Sequence, residues 1–378
     1  QKLKELDEKI ADSDRIQGKH VLRAKEALER LYGDYAGGML SGPSVGAEDR
    51  ENLQVTLGWF ADLALAPRGG PNPEVRQALI SSTQAVFVVF IVVMVIGGLV
   101  GLAGLIGLFT LIGFQLTGNL KRGVVTGGGQ GGIYAETFAL WMVVFLVFSS
   151  APYFIRVPGA EMLVTGGGIL ASLIVLAWPV FRGGIPWRQV RQDIGLVAGR
   201  RPLLEPLLGL AGYAMSLPLL AVGVVITLLL ISLQGAMGPM MGTMMPADEF
   251  SPAVFPAHPI IEMLAGSGWW GFFQVLFLGS VVAPIVEETM FRGVLYRHMR
   301  ESTCRWPLFL SFAASALVVS FVFAAIHPQG LLAVPALMSL AIGFTIMREW
   351  RGSLISCMIA HGLNNALVMS LAAFVFNI

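Results

Sequence analysis

The sequence predicts an all-α fold, a polytopic transmembrane bundle of about eight spans with a soluble helical extension at its N-terminus. The 378 residues are 55% hydrophobic and 13% charged, whereas a soluble domain averages about 25% charged residues. Apolar runs long enough to cross a bilayer recur from Ser81 onwards. Residues 1–80, in contrast, hold 11 of the 25 Lys and Arg and 13 of the 24 Asp and Glu, which is typical of a segment in water.

Charge and cysteine content exclude several classes of protein. A net charge of +1 gives no bulk attraction to nucleic acid. Cys304 and Cys357 are far apart in the chain, which argues against a disulfide framework or a zinc knuckle. The chain begins with Gln1 rather than Met, and we expect it to be part of a longer protein.

The extension, residues 1–80, carries two amphipathic patterns, KLKELDEKI and VLRAKEALER, which predict short helices separated at Gly18. The Gly-, Ser- and Pro-rich stretch GGMLSGPSVGAED then predicts a linker. We interpret the extension as a solvated helical tether. The alternative is a coiled-coil site for a protein partner.

Eight apolar runs follow the extension, and a span needs ~20 residues to cross ~30 Å of hydrocarbon. They are residues 81–118, 137–155, 162–181, 206–235, 263–286, 306–326, 328–347 and 352–378. The predicted domains are therefore the extension (1–80), a set of accessory spans (81–184) and a C-terminal transmembrane core (185–378).

Lys and Arg follow the first, third, fifth and seventh runs, whereas the alternate connections hold almost none. This asymmetry predicts that the connections after the first, third, fifth and seventh runs lie in the cytoplasm. Residues 1–80 and the C-terminus are then expected on the other side of the membrane. The amphipathic, basic segment 185–201 is expected on the cytoplasmic surface. The Met- and Gly-rich segment 235–247 is expected to be a loop, with a substrate-side element as the alternative. A bacterial cytoplasmic membrane is the expected location.

Two glutamates and an arginine interrupt the fifth run, in VVAPIVEETMFRGVLYRHMR. On a helix, Glu288 and Arg292 are i,i+4 neighbours in the order that favours an ion pair. Glu287 points about 100° away from Glu288 and is free for chemistry. Ionisable side chains inside spans are functional candidates, although both glutamates would also suit the membrane surface.

Two later runs carry histidines. His327 follows Phe323 by one turn in FVFAAIHPQG, and His361 precedes Asn365 by one turn in CMIAHGLNNALVM. Buried imidazole and amide groups are costly unless they are hydrogen-bonded. His327, His361 and Asn365 are either parts of a functional site or have structural roles. In the second case His327 lies at the membrane interface, and His361 and Asn365 join neighbouring helices by hydrogen bonds.

The three motifs, Glu-Glu-x-x-x-Arg at 287–292, Phe-x-x-x-His at 323–327 and His-x-x-x-Asn at 361–365, occur in this order. This part of the sequence, residues 185–375, resembles the CAAX protease and bacteriocin-processing family, which includes the type II CAAX prenyl endopeptidases. The resemblance implies an intramembrane endopeptidase that needs no cofactor, with a lipidated C-terminus or a small membrane peptide as substrate.

The resemblance also implies residue roles. Glu287 is the base that activates water, and His327 holds or polarises that water. His361 and Asn365 stabilise the oxyanion, and Glu288 and Arg292 form a supporting ion pair. These roles are chemically reasonable, because a carboxylate shielded from bulk water is a stronger base, and uncharged donors stabilise a developing oxyanion without adding negative charge.

Three alternatives use the same region. Glu287, His327 and His361 could hold zinc, as in a metalloprotease. Cys357, His361 and Asn365 lie on one helix face and are the residue types of a Cys–His–Asn hydrolase, although a Cys on an apolar helix is more often a small hydrophobe. A membrane scaffold or immunity-type protein could keep the pocket without turnover.

Straight, upright helices would not bring these residues to one depth. At ~1.5 Å per residue, Glu287 lies ~20 Å above the cytoplasmic end of its span, His361 ~14 Å and His327 nearer ~30 Å. We therefore expect tilt, or a sixth span that begins later than Pro307.

Overall fold

The computed structural model describes residues 2–40, 44–119, 123–126, 131–237 and 268–375, and all regular elements within these ranges are helical. The Met- and Gly-rich segment beyond Met237 lies outside the described residues. The chain divides into two compact units, Gln1–Met94 and Val95–Ile378.

The first unit is a small helical bundle that contains α1 (Lys2–Ala36), α2 (Ala47–Leu57), α3 (Trp59–Leu65) and the beginning of α4 (Pro73–Leu116). Its core is built of small and branched side chains, among them Ala24, Ala27, Leu31, Leu53 and Ala61.

The predicted break at Gly18 is wrong, because α1 continues through it as one helix of 35 residues. Glycine in a helix interior costs only about 1 kcal/mol relative to alanine. Hydrogen bonds add to the packing of this unit, since Arg23 and Arg30 both bind Asp49, at 2.9 and 2.8 Å. Arg76 of α4 donates to the Ala66 carbonyl oxygen just after α3, at 2.7 Å.

The second unit continues from α4 through the accessory helices to the helices that carry the motifs. Its first part comprises α5 (Gly131–Ser149), α6 (Ala151–Phe154), α7 (Glu161–Ala171), α8 (Trp178–Phe181), α9 (Trp187–Ile194) and α10 (Glu205–Met237). Its second part begins with one long helix, in which α11 (Gly268–Phe277), α12 (Ala283–Glu287) and α13 (Tyr296–Ser302) are separated by two π-helical segments, π1 (Leu278–Val282) and π2 (Glu288–Leu295). The chain then forms α14 (Leu308–Ala325), α15 (Val334–Arg351) and α16 (Ile355–Val375).

Eight helices within the described residues are long and apolar enough to cross a membrane, which confirms the predicted number of spans. They are Pro73–Leu116, Gly131–Phe154, Glu161–Phe181, Pro202–Leu233, Gly268–Ser302, Leu308–Ala325, Leu331–Arg351 and Ile355–Phe374. The fifth extends 16 residues beyond the predicted apolar run, from 286 to Ser302, because the charged side chains after Glu287 are paired inside the protein. The protein is an all-α integral membrane protein.

The main core lies where α5, π2 and α14 meet. A series of aromatic rings crosses it, with Trp141 against Phe291 and Phe291 against Phe323, at centroid distances of 5.7 and 5.2 Å. The amphipathic segment predicted on the membrane surface contributes to this core as well, because Val190 and Ile194 of α9 are fully buried in it. The apolar face of α9 therefore packs against protein.

The mismatch of depths has a structural explanation. The amide of Leu354 donates to the Gly195 carbonyl oxygen at 2.9 Å, and Gly293 packs against both Ile194 and Leu354. The last span therefore begins beside Gly293, whereas the helix that contains Gly293 continues for nine more residues, through α13, to Ser302, about 14 Å further at 1.5 Å per residue. The ends of neighbouring spans on this side of the bundle therefore lie at different levels.

Candidate active site

The helix that carries the glutamates is interrupted on both sides of Glu287. Glu287 is the last residue of α12, and Glu288 is the first residue of π2. π-helical segments leave some backbone carbonyls without their usual partner, and they occur frequently at functional sites. No sequence pattern predicted these segments, although Gly279 and Pro284 lie in and beside π1.

Glu288 and Arg292 form the expected i,i+4 pair. Arg292 Nη1 lies 3.0 Å from Glu288 Oε1, and both side chains are fully buried. Arg292 also stacks over the ring of Phe323, with its Cζ 4.3 Å from the ring centroid. Two opposite charges buried together tolerate burial far better than one alone, so this pair anchors the helix that carries Glu287.

His361 joins this pair to Glu287. Its Nδ1 donates to Glu288 Oε1 at 2.8 Å, and its Nε2 lies 3.8 Å from Glu287 Oε2. Because Nδ1 donates to Glu288, Nε2 is the ring nitrogen that faces Glu287; it accepts a hydrogen bond in the neutral imidazole and donates one in the protonated form.

His327 reaches Glu287 from the turn after α14. Its Nδ1 donates to the Phe323 carbonyl oxygen at 2.5 Å, so its neutral Nε2 is an acceptor as well. That Nε2 lies 4.0 Å from Glu287 Oε2. His327 therefore lies at the same depth as Glu287 and His361. The difference in depth that straight, level spans would give does not arise.

Glu287 stands at the centre of this group and is its most accessible member. Its side chain is 25% exposed, against 16% for His327 and 6% for His361. Glu287 Oε2 is nevertheless shielded and has no hydrogen-bond partner among the residues that the structure describes. The shielded Glu287 oxygen is an acceptor, and one nitrogen of each of the two imidazoles faces it. A group that bridges these atoms has to supply protons or positive charge, and a water molecule satisfies this requirement.

Asn365 lies one turn beyond His361 on α16. Its Nδ2 donates to the Gly279 carbonyl oxygen in π1 at 2.8 Å. Asn364 Nδ2 donates to Asn365 Oδ1 at 3.1 Å, which sets the orientation of the amide. One N–H of Asn365 therefore holds π1, and the second remains for another acceptor.

Phe344 belongs to the same cluster, and sequence reasoning missed it. Its ring stacks on His361 with centroids 5.5 Å apart, and it also lies 5.6 Å from the Arg292 guanidinium. Phe323 contacts His361 as well, edge to face at 5.9 Å. A phenylalanine in an apolar span carries no distinguishing signal, so only the structure places Phe344 here.

The thiol of Cys357 is directed at a backbone carbonyl and not at His361. Its Sγ donates to the Phe344 carbonyl oxygen at 3.3 Å, and the residue is fully buried. This geometry is that of a small buried side chain between α15 and α16.

Glu287, His327 and His361 provide the donor types that zinc prefers. Their nitrogen–oxygen separations of 3.8 and 4.0 Å exceed the ~3.4 Å that a tetrahedral site with ~2.0–2.1 Å bonds requires. Within the described part of the chain, no group of three His, Cys, Asp or Glu side chains has an arrangement that could hold a metal. The trio thus fits zinc in chemistry but not in spacing.

The fold and the site together define a membrane-embedded helical bundle with glutamate and histidine side chains gathered inside it. Residues 269–367 match the family described as type II CAAX prenyl endopeptidase Rce1-like, and this segment contains all three motifs. The resemblance to the CAAX protease family is thereby confirmed for residues 269–367. Comparison with curated proteins and with solved structures gave no match.

Proposed function

We propose that the protein is an intramembrane endopeptidase in which Glu287 activates a water molecule for attack on a peptide bond. The observation that carries this proposal is the shielded, unpartnered Glu287 Oε2, which the Nε2 atoms of His361 and His327 face at 3.8 and 4.0 Å. A water at this point can donate to Glu287 and to one imidazole.

The reaction follows from these positions. Glu287 removes a proton from the water while the water oxygen bonds to the substrate carbonyl carbon, which forms a tetrahedral oxyanion. The C–N bond then breaks as Glu287 returns the proton to the leaving nitrogen, which yields an amine and a carboxylic acid that loses its proton to solvent. His327 holds the water throughout, because its Nδ1 is fixed on the Phe323 carbonyl.

The oxyanion is stabilised by His361 and Asn365. His361 acts as a donor when its Nε2 carries a proton, and the Glu288 carboxylate at its Nδ1 can compensate the resulting charge. The free N–H of Asn365 provides a second donor one turn away. Arg292 keeps Glu288 in place and balances its charge inside the protein.

The substrate class comes from family resemblance. A CAAX-like or otherwise lipidated C-terminus and a small membrane peptide are both suitable, because a site inside a bundle is reached from the lipid phase or from its edge. Membrane lipids are the surrounding partners. Residues 1–80 remain a candidate site for a protein partner. The proposed location of the protein is a bacterial cytoplasmic membrane.

The test is peptide cleavage by the detergent-purified protein, with lipidated and unlipidated peptides, for the wild type and for Glu287→Gln, each with and without a chelator. We expect cleavage by the wild type, loss in Glu287→Gln, and no effect of the chelator. Loss with the chelator, reversed by zinc, would instead assign the site as a zinc protease. Binding of peptides by the wild type without cleavage would favour the non-catalytic scaffold.

A further inference from the structure

A buried arginine outside the three motifs contacts the backbone of the site. Arg348, on α15, is only 2% exposed. Its Nε donates to the Arg292 carbonyl oxygen at 3.1 Å, and its Nη2 donates to the Asp193 carbonyl oxygen at 3.1 Å. One guanidinium therefore joins the last turn of α9 to the segment that carries Glu288 and Arg292.

The Arg292 carbonyl lies in π2, where the α-helical hydrogen bond is not made. In an α-helix the amide of Tyr296, four residues on, would bind it. That amide instead bonds to the carbonyls of Phe291 and Gly293. Arg348 therefore donates to a carbonyl that does not receive its α-helical hydrogen bond, and a regular α-helical turn would compete with this contact.

The end of α9 is shaped to receive the guanidinium. Gly195 caps α9 with φ +79°, and a Cβ at this position would lie 2.6 to 2.8 Å from three atoms of the Arg348 guanidinium. The carbonyl end of a helix also carries partial negative charge, which favours a cation there. Glycine is therefore required at residue 195 both by the backbone conformation and by contact with Arg348.

We propose that Arg348 is a positioning residue for the active site. It keeps π2 in its observed register, in which Arg292 binds Glu288 at 3.0 Å and Glu288 binds His361 at 2.8 Å. Without Arg348, the Arg292 carbonyl can accept the Tyr296 amide as in an α-helix, and this change from π to α register turns the part of the helix that carries Glu288 about its axis. Glu288 would then leave His361. The inference rests on the function proposed above.

The first test compares Arg348→Met and Arg348→Lys with a matched control, Arg351→Met. Arg351 is on the same helix and is also shielded from solvent, but its partner is the carboxylate of Glu205 on α10, at 2.6 Å, and not the backbone of π2. We expect Arg348→Met to lower kcat by about 10–100-fold, the range typical of residues that orient catalytic groups, with KM little changed. Arg348→Lys, which can still donate to one carbonyl, should recover part of the loss, and Arg351→Met should leave kcat unchanged.

A second readout does not depend on cleavage. Labelling of His361 by diethyl pyrocarbonate, followed by mass spectrometry, reports whether its ring is still held by Glu288. Labelling should increase in Arg348→Met and not in Arg351→Met. If the wild type cleaves no peptide but this difference is found, the proposed function fails while the positioning role stands. Unchanged labelling together with unchanged kcat in Arg348→Met would overturn the positioning role.

A double-mutant cycle with Gly195→Ala covers the case in which Arg348→Met does not fold. The added methyl group must displace the guanidinium, so Gly195→Ala alone should lower kcat and increase His361 labelling. In an Arg348→Lys background the same substitution should have a smaller effect, because the contact is already weakened. Equal effects of Gly195→Ala in both backgrounds would contradict the proposal.

Discussion

Glu288 and His361 are 73 positions apart in the sequence, yet Glu288 Oε1 and His361 Nδ1 are 2.8 Å apart in a fully buried contact. The same carboxylate oxygen binds Arg292. This contact connects the ion pair of Glu288 and Arg292 to the group of side chains around Glu287, and under the proposed function Glu288 has a chemical role besides its structural one.

Replacing Glu288 by Gln tests that role. The amide keeps the shape and an acceptor oxygen but removes the charge that faces His361. We expect kcat to fall by about 10–100-fold with little change in KM, measured on a cleaved peptide. A change confined to KM would show that Glu288 acts in substrate binding instead.

Replacing Arg292 by Ala should chiefly lower stability. The substitution leaves Glu288 buried without its cation, and breaking a buried pair in this way costs about 3–5 kcal/mol. Thermal unfolding in detergent should show the loss. The double variant Glu288→Gln/Arg292→Met, which leaves no unpaired charge, should be more stable than Arg292→Ala. Equal melting temperatures for Arg292→Ala and the wild type would contradict the anchoring role.

Two substitutions separate the possible roles of His327. His327→Asn keeps a donor near the Nδ1 position, and hence the bond to the Phe323 carbonyl, but places nothing at Nε2. If Nε2 holds the water, His327→Asn and His327→Ala should lose activity equally, by about 10²–10⁴-fold. If the bond to Phe323 is what matters, His327→Asn should retain most of the wild-type kcat.

The first unit should loosen in acid. Hydrogen bonds from Arg23 lower the pKa of Asp49 and of Glu48, and the bonds from Ser44 lower the pKa of Asp34. A carboxyl whose folded pKa is depressed stabilises the fold above its unfolded value, about 3.9–4.3, and this contribution is lost as the pH falls towards the folded value. Hydrogen exchange of α1 and α2 in the full chain, corrected for the intrinsic rate, should therefore accelerate from about pH 4 downwards. Asp49→Asn should weaken this pH dependence, and an identical profile in that variant would exclude the Arg23–Asp49 contact as its source.

The spans and the motif residues could be predicted because both rest on strong local signals. Charge-free runs fix the number of spans, and ionisable side chains within them single out Glu287, Glu288, Arg292, His327 and His361. The i,i+4 relation of Glu288 and Arg292 also predicted their contact, because helix geometry alone determines it.

The remainder depends on tertiary structure. The prediction treated the cytoplasmic ends of the spans as level, whereas Leu354 at the start of the last span lies beside Gly195 and Gly293. The π segments and the donors that hold them, Asn365 and Arg348, follow from packing between helices and have no local pattern.

The central claim is that Glu287 activates the attacking water, and the single-turnover cleavage rate of Glu287→Gln tests it most directly. The measurement requires a variant whose melting temperature matches the wild type, in buffer freed of metal by a chelator. If Glu287 activates the water, the cleavage rate of Glu287→Gln is about 10²–10⁴-fold below that of the wild type under the same conditions. A rate within a few-fold of the wild type, or a wild type that is itself inactive until zinc is restored, would contradict it.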